Sequence, residues 1–104
     1  MKVQFQGSSP EDILTLFQEK IKGRKIAKLL NLSLVDHSLT ISVSKLGTSR
    51  FLFHVHTDQP LNCITISLYK KHVPFTHRAM EKDIVAKITR IIEDCGGTII
   101  TPYT

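Results

Sequence analysis

The sequence predicts an α+β sandwich of order β-α-β-β-β-α, a mostly antiparallel four-stranded sheet with two helices on one face, in a single domain over residues 1–104. Three observations predict it. From Leu39 onward apolar residues recur at every second position. "GSSPED" reads as a strong helix start, and the apolar residues after Met80 recur at helical spacing.

The elements follow in order. "KVQFQ" (Lys2–Gln6) places Val3 and Phe5 on one face of a short strand. Ser9 is a natural N-cap, Pro10 suits the first helical position, and Glu11 and Asp12 complement the positive end of the helix dipole. Ile13, Leu16, Phe17 and Ile21 then share a helical face. Gly23 breaks that face, and Ile26, Leu29 and Leu30 are out of phase with it, which predicts a second short helical piece ending near Leu30.

Three alternating runs come next: Leu39, Ile41, Val43; Phe51, Phe53, Val55; and Ile64, Ile66, Leu68. "KLGTS" and "TDQPLN" join them. A register of Val55 opposite Ile64 and Val43 opposite Phe51 puts every apolar side chain on one face. "KKHVPF" reads as a turn, and Thr76 as the cap of a last helix whose stripe is Met80, Ile84, Ile88, Ile91 and Ile92. Gly96 or Gly97 closes that helix, and residues 97–104 are read as an edge strand ("TIIT") or a loose tail.

Composition bounds the function. The chain has 104 residues, 41% hydrophobic and 22% charged, which suits one soluble core. No apolar run approaches the roughly 18–20 residues of a membrane span, and "MKVQFQGSSPED" lacks the apolar stretch of a secretory signal, so a cytoplasmic protein that does not engage a membrane is expected. Cys63 and Cys95 are then read as free thiols. Fourteen Lys+Arg against nine Asp+Glu give a net charge of +5, which favours an anionic partner.

The candidate chemistry is sparse. "HVHTDQPLNC" carries His54, His56 and Cys63, and the expected hairpin register sets His56 opposite Cys63 on the outward face. Three ligands fall one short of a closed structural zinc site, so no metal is assigned and the trio is the low-ranked candidate beside a plain solvated sheet face. No nucleophile–base spacing and no phosphate-binding glycine loop occurs, and Cys95 sits at the foot of a helix rather than at its N-terminus. A protein without enzymatic activity or cofactor is expected. Tyr69 is the sole aromatic expected on the outward sheet face, which argues against single-strand base readout.

The cations say more. Lys20, Lys22, Arg24, Lys25 and Lys28 fall within nine residues with no acid among them; Arg78, Lys82, Lys87 and Arg90 mark the last helix. With the two helices side by side, these groups would form one phosphate-binding surface.

Three stretches resemble the ribosome hibernation-promoting factor family (ribosome-associated inhibitors). "MKVQFQG" is similar to the family's opening strand, "EKIKGRKIAKLL" to its basic first helix, and "VAKITR" (Val85–Arg90) to a Val-x-Lys-Leu-x-Arg stretch in its final helix. This chain departs by reading "KKHVPFTHRAMEKD" on entry to that helix. The resemblance implies binding of ribosomal RNA in the small-subunit tRNA/mRNA channel, blocking translation in idle cells. It carries phosphate contact onto Lys20, Lys22, Lys25, Lys28, Lys87 and Arg90; Arg24, Arg78 and Lys82 are added from charge alone. Ribosomal or other structured RNA is the expected partner. The alternative is a protein-interaction or self-association module that uses its sheet edge or outward face, a homodimer through the edge among them, served by an exposed edge strand and by Leu52 amid polar neighbours.

Overall fold

A computed structural model describes residues 1–7, 9–58 and 61–103. Position 8, the centre of the expected "TDQPLN" turn (59–60) and residue 104 of the expected tail lie outside these. The elements are β1 (Lys2–Gln6), α1 (Pro10–Ile21), a 3-10 turn (Lys25–Lys28), β2 (Leu30–Val35), β3 (Ser38–Ser44), β4 (Thr48–Asp58), β5 (Cys63–His72), a second 3-10 turn (Phe75–Met80), α2 (Glu81–Asp94) and β6 (Thr98–Thr101). The class is α+β, but the sheet is antiparallel with six strands, in the order β2-β3-β4-β5-β1-β6.

The helix starts follow local chemistry. Ser9 Oγ accepts the Asp12 N–H at 3.1 Å, and the Asp12 carboxylate accepts the Ser9 N–H at 3.3 Å, a reciprocal capping box. Ile13, Phe17 and Ile21 are buried, while Leu16 is half-buried. At the far end of the chain α2 closes in a Schellman motif. Gly96, at φ 91°, takes the left-handed position and donates to the Glu93 carbonyl, while the Gly97 N–H reaches Ile92 O at 3.0 Å.

Four expectations need correction. The helical piece expected to reach Leu30 is a single 3-10 turn, and "LNLSLV" is an unforeseen strand. Leu30, Leu32 and Leu34 alternate there and half-bury against the core, with Asp36 at φ 53° turning the chain into β3. Both hairpin registers differ from expectation by two residues: Val55 faces Ile66, and Ile41 faces Phe51. A shift of two keeps the face of every side chain, because strand alternation has a period of two, so the apolar layer survives. Thr76 caps no helix; it lies within the second 3-10 turn and its hydroxyl donates to the Leu46 carbonyl at 2.7 Å. Met80 leaves the stripe, being 39% exposed at the entrance to α2.

One hydrophobic core lies between the sheet and the helices. Val3, Phe5, Ile41, Phe51, Phe53, Ile64 and Ile66 supply the sheet side, and Ile84, Val85, Ile88, Ile91 and Ile92 the α2 side. β6 is the edge strand beside β1, and β2 forms the other edge.

Candidate nucleic-acid interface

After α1 the chain turns at Gly23, whose φ of 80° lies in the left-handed region. Arg24 then accepts the Ala27 N–H through its carbonyl, and the 3-10 turn presents Lys25 beside α2. Arg24, Lys25 and Ile26 face Lys87, Arg90 and Ile91 across a shallow cleft of about 280 Å³. Two cations from each side therefore converge over an apolar floor. None of the six lining residues is acidic.

Acids reach the cleft from its margins. Asp94 pairs with Arg24 at 2.6 Å, and Asp83 pairs with Lys87 at 3.1 Å, one helical turn away. Both pairs are solvated, so they hold the side chains only weakly. Lys25 and Arg90 make no ion pair among the described residues.

The other expected cations are dispersed. Lys20, Lys22 and Lys28 are exposed but do not line the cleft. Arg78 and Lys82 lie on the opposite flank of α2, in a groove of about 560 Å³ shared with Glu81, Glu93, Ile99 and Tyr103. Arg90 borders both spaces and so occupies the crest of the helix.

The outward trio does not assemble. Cys63 faces Asp58, His56 faces Thr65, and His54 faces Ser67. Cys63 is 3% exposed beneath Gln4, whose side-chain nitrogen donates to its sulfur at 3.5 Å. Among the described residues no group of three or more His, Cys, Asp or Glu side chains is placed to hold a metal ion. Burial pushes the Cys95 thiol pKa up, which disfavours its thiolate.

Two polar clusters beside α2 went unread. His77 is fully buried and bridges Ser49 Oγ and the Lys45 carbonyl, each at 2.6 Å. Lys71 Nζ donates to both Glu81 and Tyr103 at 2.8 Å, and the Tyr103 hydroxyl donates to Glu81. The hydrogen bond that Lys71 donates to Glu81 holds the Glu81 pKa below the usual carboxylate range, and the same bond raises the Lys71 pKa. No single-residue pattern marks either cluster; each joins residues from separate stretches of the chain.

No helix among the described residues is long and apolar enough to cross a membrane. Set against family models, curated proteins and solved structures, the chain gives no match.

Proposed function

We propose that this chain is a small, cytoplasmic, non-catalytic protein that docks on structured RNA, of the ribosomal kind its resemblance to hibernation-promoting factors implies, and thereby restrains translation. The observation that supports this reading is the cleft in which Arg24 and Lys25 meet Lys87 and Arg90. Four cations converging on one apolar-floored cleft suit a phosphate backbone, and binding releases condensed counterions. Affinity then falls steeply with salt, with a slope of about −3 in log K against log salt while Asp94 holds Arg24 and Lys25, Lys87 and Arg90 each neutralise a phosphate. Co-sedimentation with ribosomes at low and then high salt tests this; a protein that stays in the supernatant at low salt sinks it. Lys25→Glu should release the protein from the pellet while leaving its thermal melt unchanged.

A second reading is self-association through a sheet edge. It is favoured by β2, which among the described residues pairs only with β3 and ends at Val35, 62% exposed. Light scattering on the eluted peak decides it: a monomer mass across the concentration range removes this reading.

A further inference from the structure

Among the described residues no element covers the sheet face away from the helices, and that face is not as bare of stacking surface as its single aromatic suggests. His54 lies against Tyr69 with ring centroids 3.8 Å apart and planes inclined by 16°. A β-bulge creates this contact. Phe53 pairs with Leu68 but Leu52 pairs with Lys70, so Tyr69 is the extra residue of β5. A bulge re-aims its side chain, here onto β4, where the Tyr69 hydroxyl also meets Ser38 Oγ at 3.3 Å.

β4 covers one side of the Tyr69 ring. The other side looks toward β1, and β1 ends there. Its pairing with β5 stops at Lys2 opposite Ser67, and the Leu68 N–H is taken by the Met1 carbonyl at 2.8 Å. Past Leu68, β5 has no strand neighbour on that side among the described residues. A pocket of about 230 Å³ opens at the step, lined by Met1, Leu68, Tyr69, Lys70, Lys71 and Tyr103. It is smaller than a drug-sized site and suits one planar ring system. Tyr69 is 46% exposed.

The charge on this face is one-sided. Lys2, Arg50 and Lys70 stand on it and make no ion pair among the described residues, while Asp58, at the far end of β4, is the sole carboxylate in any of the six strands. Lys71 is engaged with Glu81 at the back of the pocket.

We propose that this face binds single-stranded nucleic acid. One nucleobase enters the pocket and stacks on the free side of Tyr69, extending the His54–Tyr69 stack, while Lys70, Arg50 and Lys2 take the flanking phosphates. The site is separate from the cleft between the first 3-10 turn and α2, which meets phosphates without reading bases, and it stands whether or not that cleft binds RNA.

The chain provides its own probe. It has two tyrosines, Tyr69 and Tyr103, both in the pocket wall, and no tryptophan. Titration of the full chain with a short oligouridylate at low salt should quench tyrosine emission saturably. Tyr69→Ala, followed by anisotropy of the labelled oligonucleotide, should weaken binding roughly tenfold or more, the usual loss for a base-stacking ring. Tyr69→Phe, which keeps the ring, should bind as the parent does. Should Tyr69→Ala melt early, His54→Ala and Lys70→Glu carry the test. The proposal fails if no quenching occurs at low salt, if these variants bind unchanged, or if Tyr69→Ala weakens binding of duplex RNA as much as binding of the single strand. A protein partner captured by a face that ignores the oligonucleotide would also overturn it.

Discussion

The second 3-10 turn, Phe75–Met80, leads into α2 between two polar clusters that differ in their relation to water. On one side His77, fully buried, joins Ser49 and the Lys45 carbonyl without a formal charge. On the other side Lys71, Glu81 and Tyr103 form a charged group with side chains 45% and 22% exposed at Lys71 and Glu81. The carbonyl of Lys45 only accepts, so His77 Nε2 carries the ring proton and Nδ1 accepts from the Ser49 hydroxyl. Every polar atom of the buried group is thereby used, and no buried side-chain polar atom among the described residues lacks a partner. The difference teaches where rigidity comes from here. A satisfied neutral cluster is expensive to break because water cannot replace a lost partner, whereas a solvated ionic cluster loses little when one member goes.

His77→Ala should therefore have the largest effect. It strands the Ser49 hydroxyl and the Lys45 carbonyl and leaves a ring-sized void, for a loss of about 2–4 kcal/mol. Because the 3-10 turn fixes the entry of α2, the same variant should also blur the cleft that holds Lys87 and Arg90. Urea titration gives the first quantity. Ser49→Ala removes one hydrogen bond and leaves Nδ1 without a donor, so it should lose about 1–2 kcal/mol. A double-mutant cycle between the two positions checks the comparison: their effects should fall well short of adding, as expected for one network. Additive losses would mean that the two residues act separately.

The ionic cluster should respond to pH instead. Glu81 has a lowered pKa in the folded chain, so its contribution is present above the ordinary carboxylate value and disappears as pH falls through the folded one. Lys71 and Tyr103 both have raised values, the tyrosine chiefly from burial, so their contribution is intact below about 10 and disappears in stronger base. Glu81→Gln should destabilise by under about 1 kcal/mol at neutral pH, because the pair is solvated. Its melting temperature should converge with the parent's as acid protonates Glu81. A constant gap down to strong acid would show that Glu81 contributes through packing rather than charge.

How far the sequence foresaw this molecule depends on what each feature requires. The faces of β1, β3, β4 and β5 were readable because alternation survives a shift of two, although the registers themselves were not. β2 carries the same signal in Leu30, Leu32 and Leu34, but Leu30 reads as the end of a helical piece because it follows the helix-forming "KIAKL" without a break, and residues 31–38 are assigned no element. The cations of the cleft were legible as a charge run. Their convergence was not, because it depends on how a 3-10 turn, rather than a second helix, seats against α2. His54 and Tyr69 were both placed outward, yet only a bulge brings the rings together, and no residue type marks its position. Buried His77 sits in "FTHRAM", a stretch whose composition suggests surface.

The smallest effect on stability falls on the Arg24–Asp94 pair, and it carries the most information about binding. Both side chains are more than a third exposed, so Asp94→Asn should change the melt by less than about 1 kcal/mol. Asp94 nevertheless occupies the guanidinium that a phosphate would use. Neutralising it frees Arg24 without altering the other three cleft cations. Affinity for ribosomal RNA should rise severalfold and the salt slope steepen by about 1, the increment for one added phosphate contact. Binding of a short single strand at the Tyr69 face should not change. A slope unmoved by Asp94→Asn would take Arg24 out of the interface and leave Lys25, Lys87 and Arg90 as its cations.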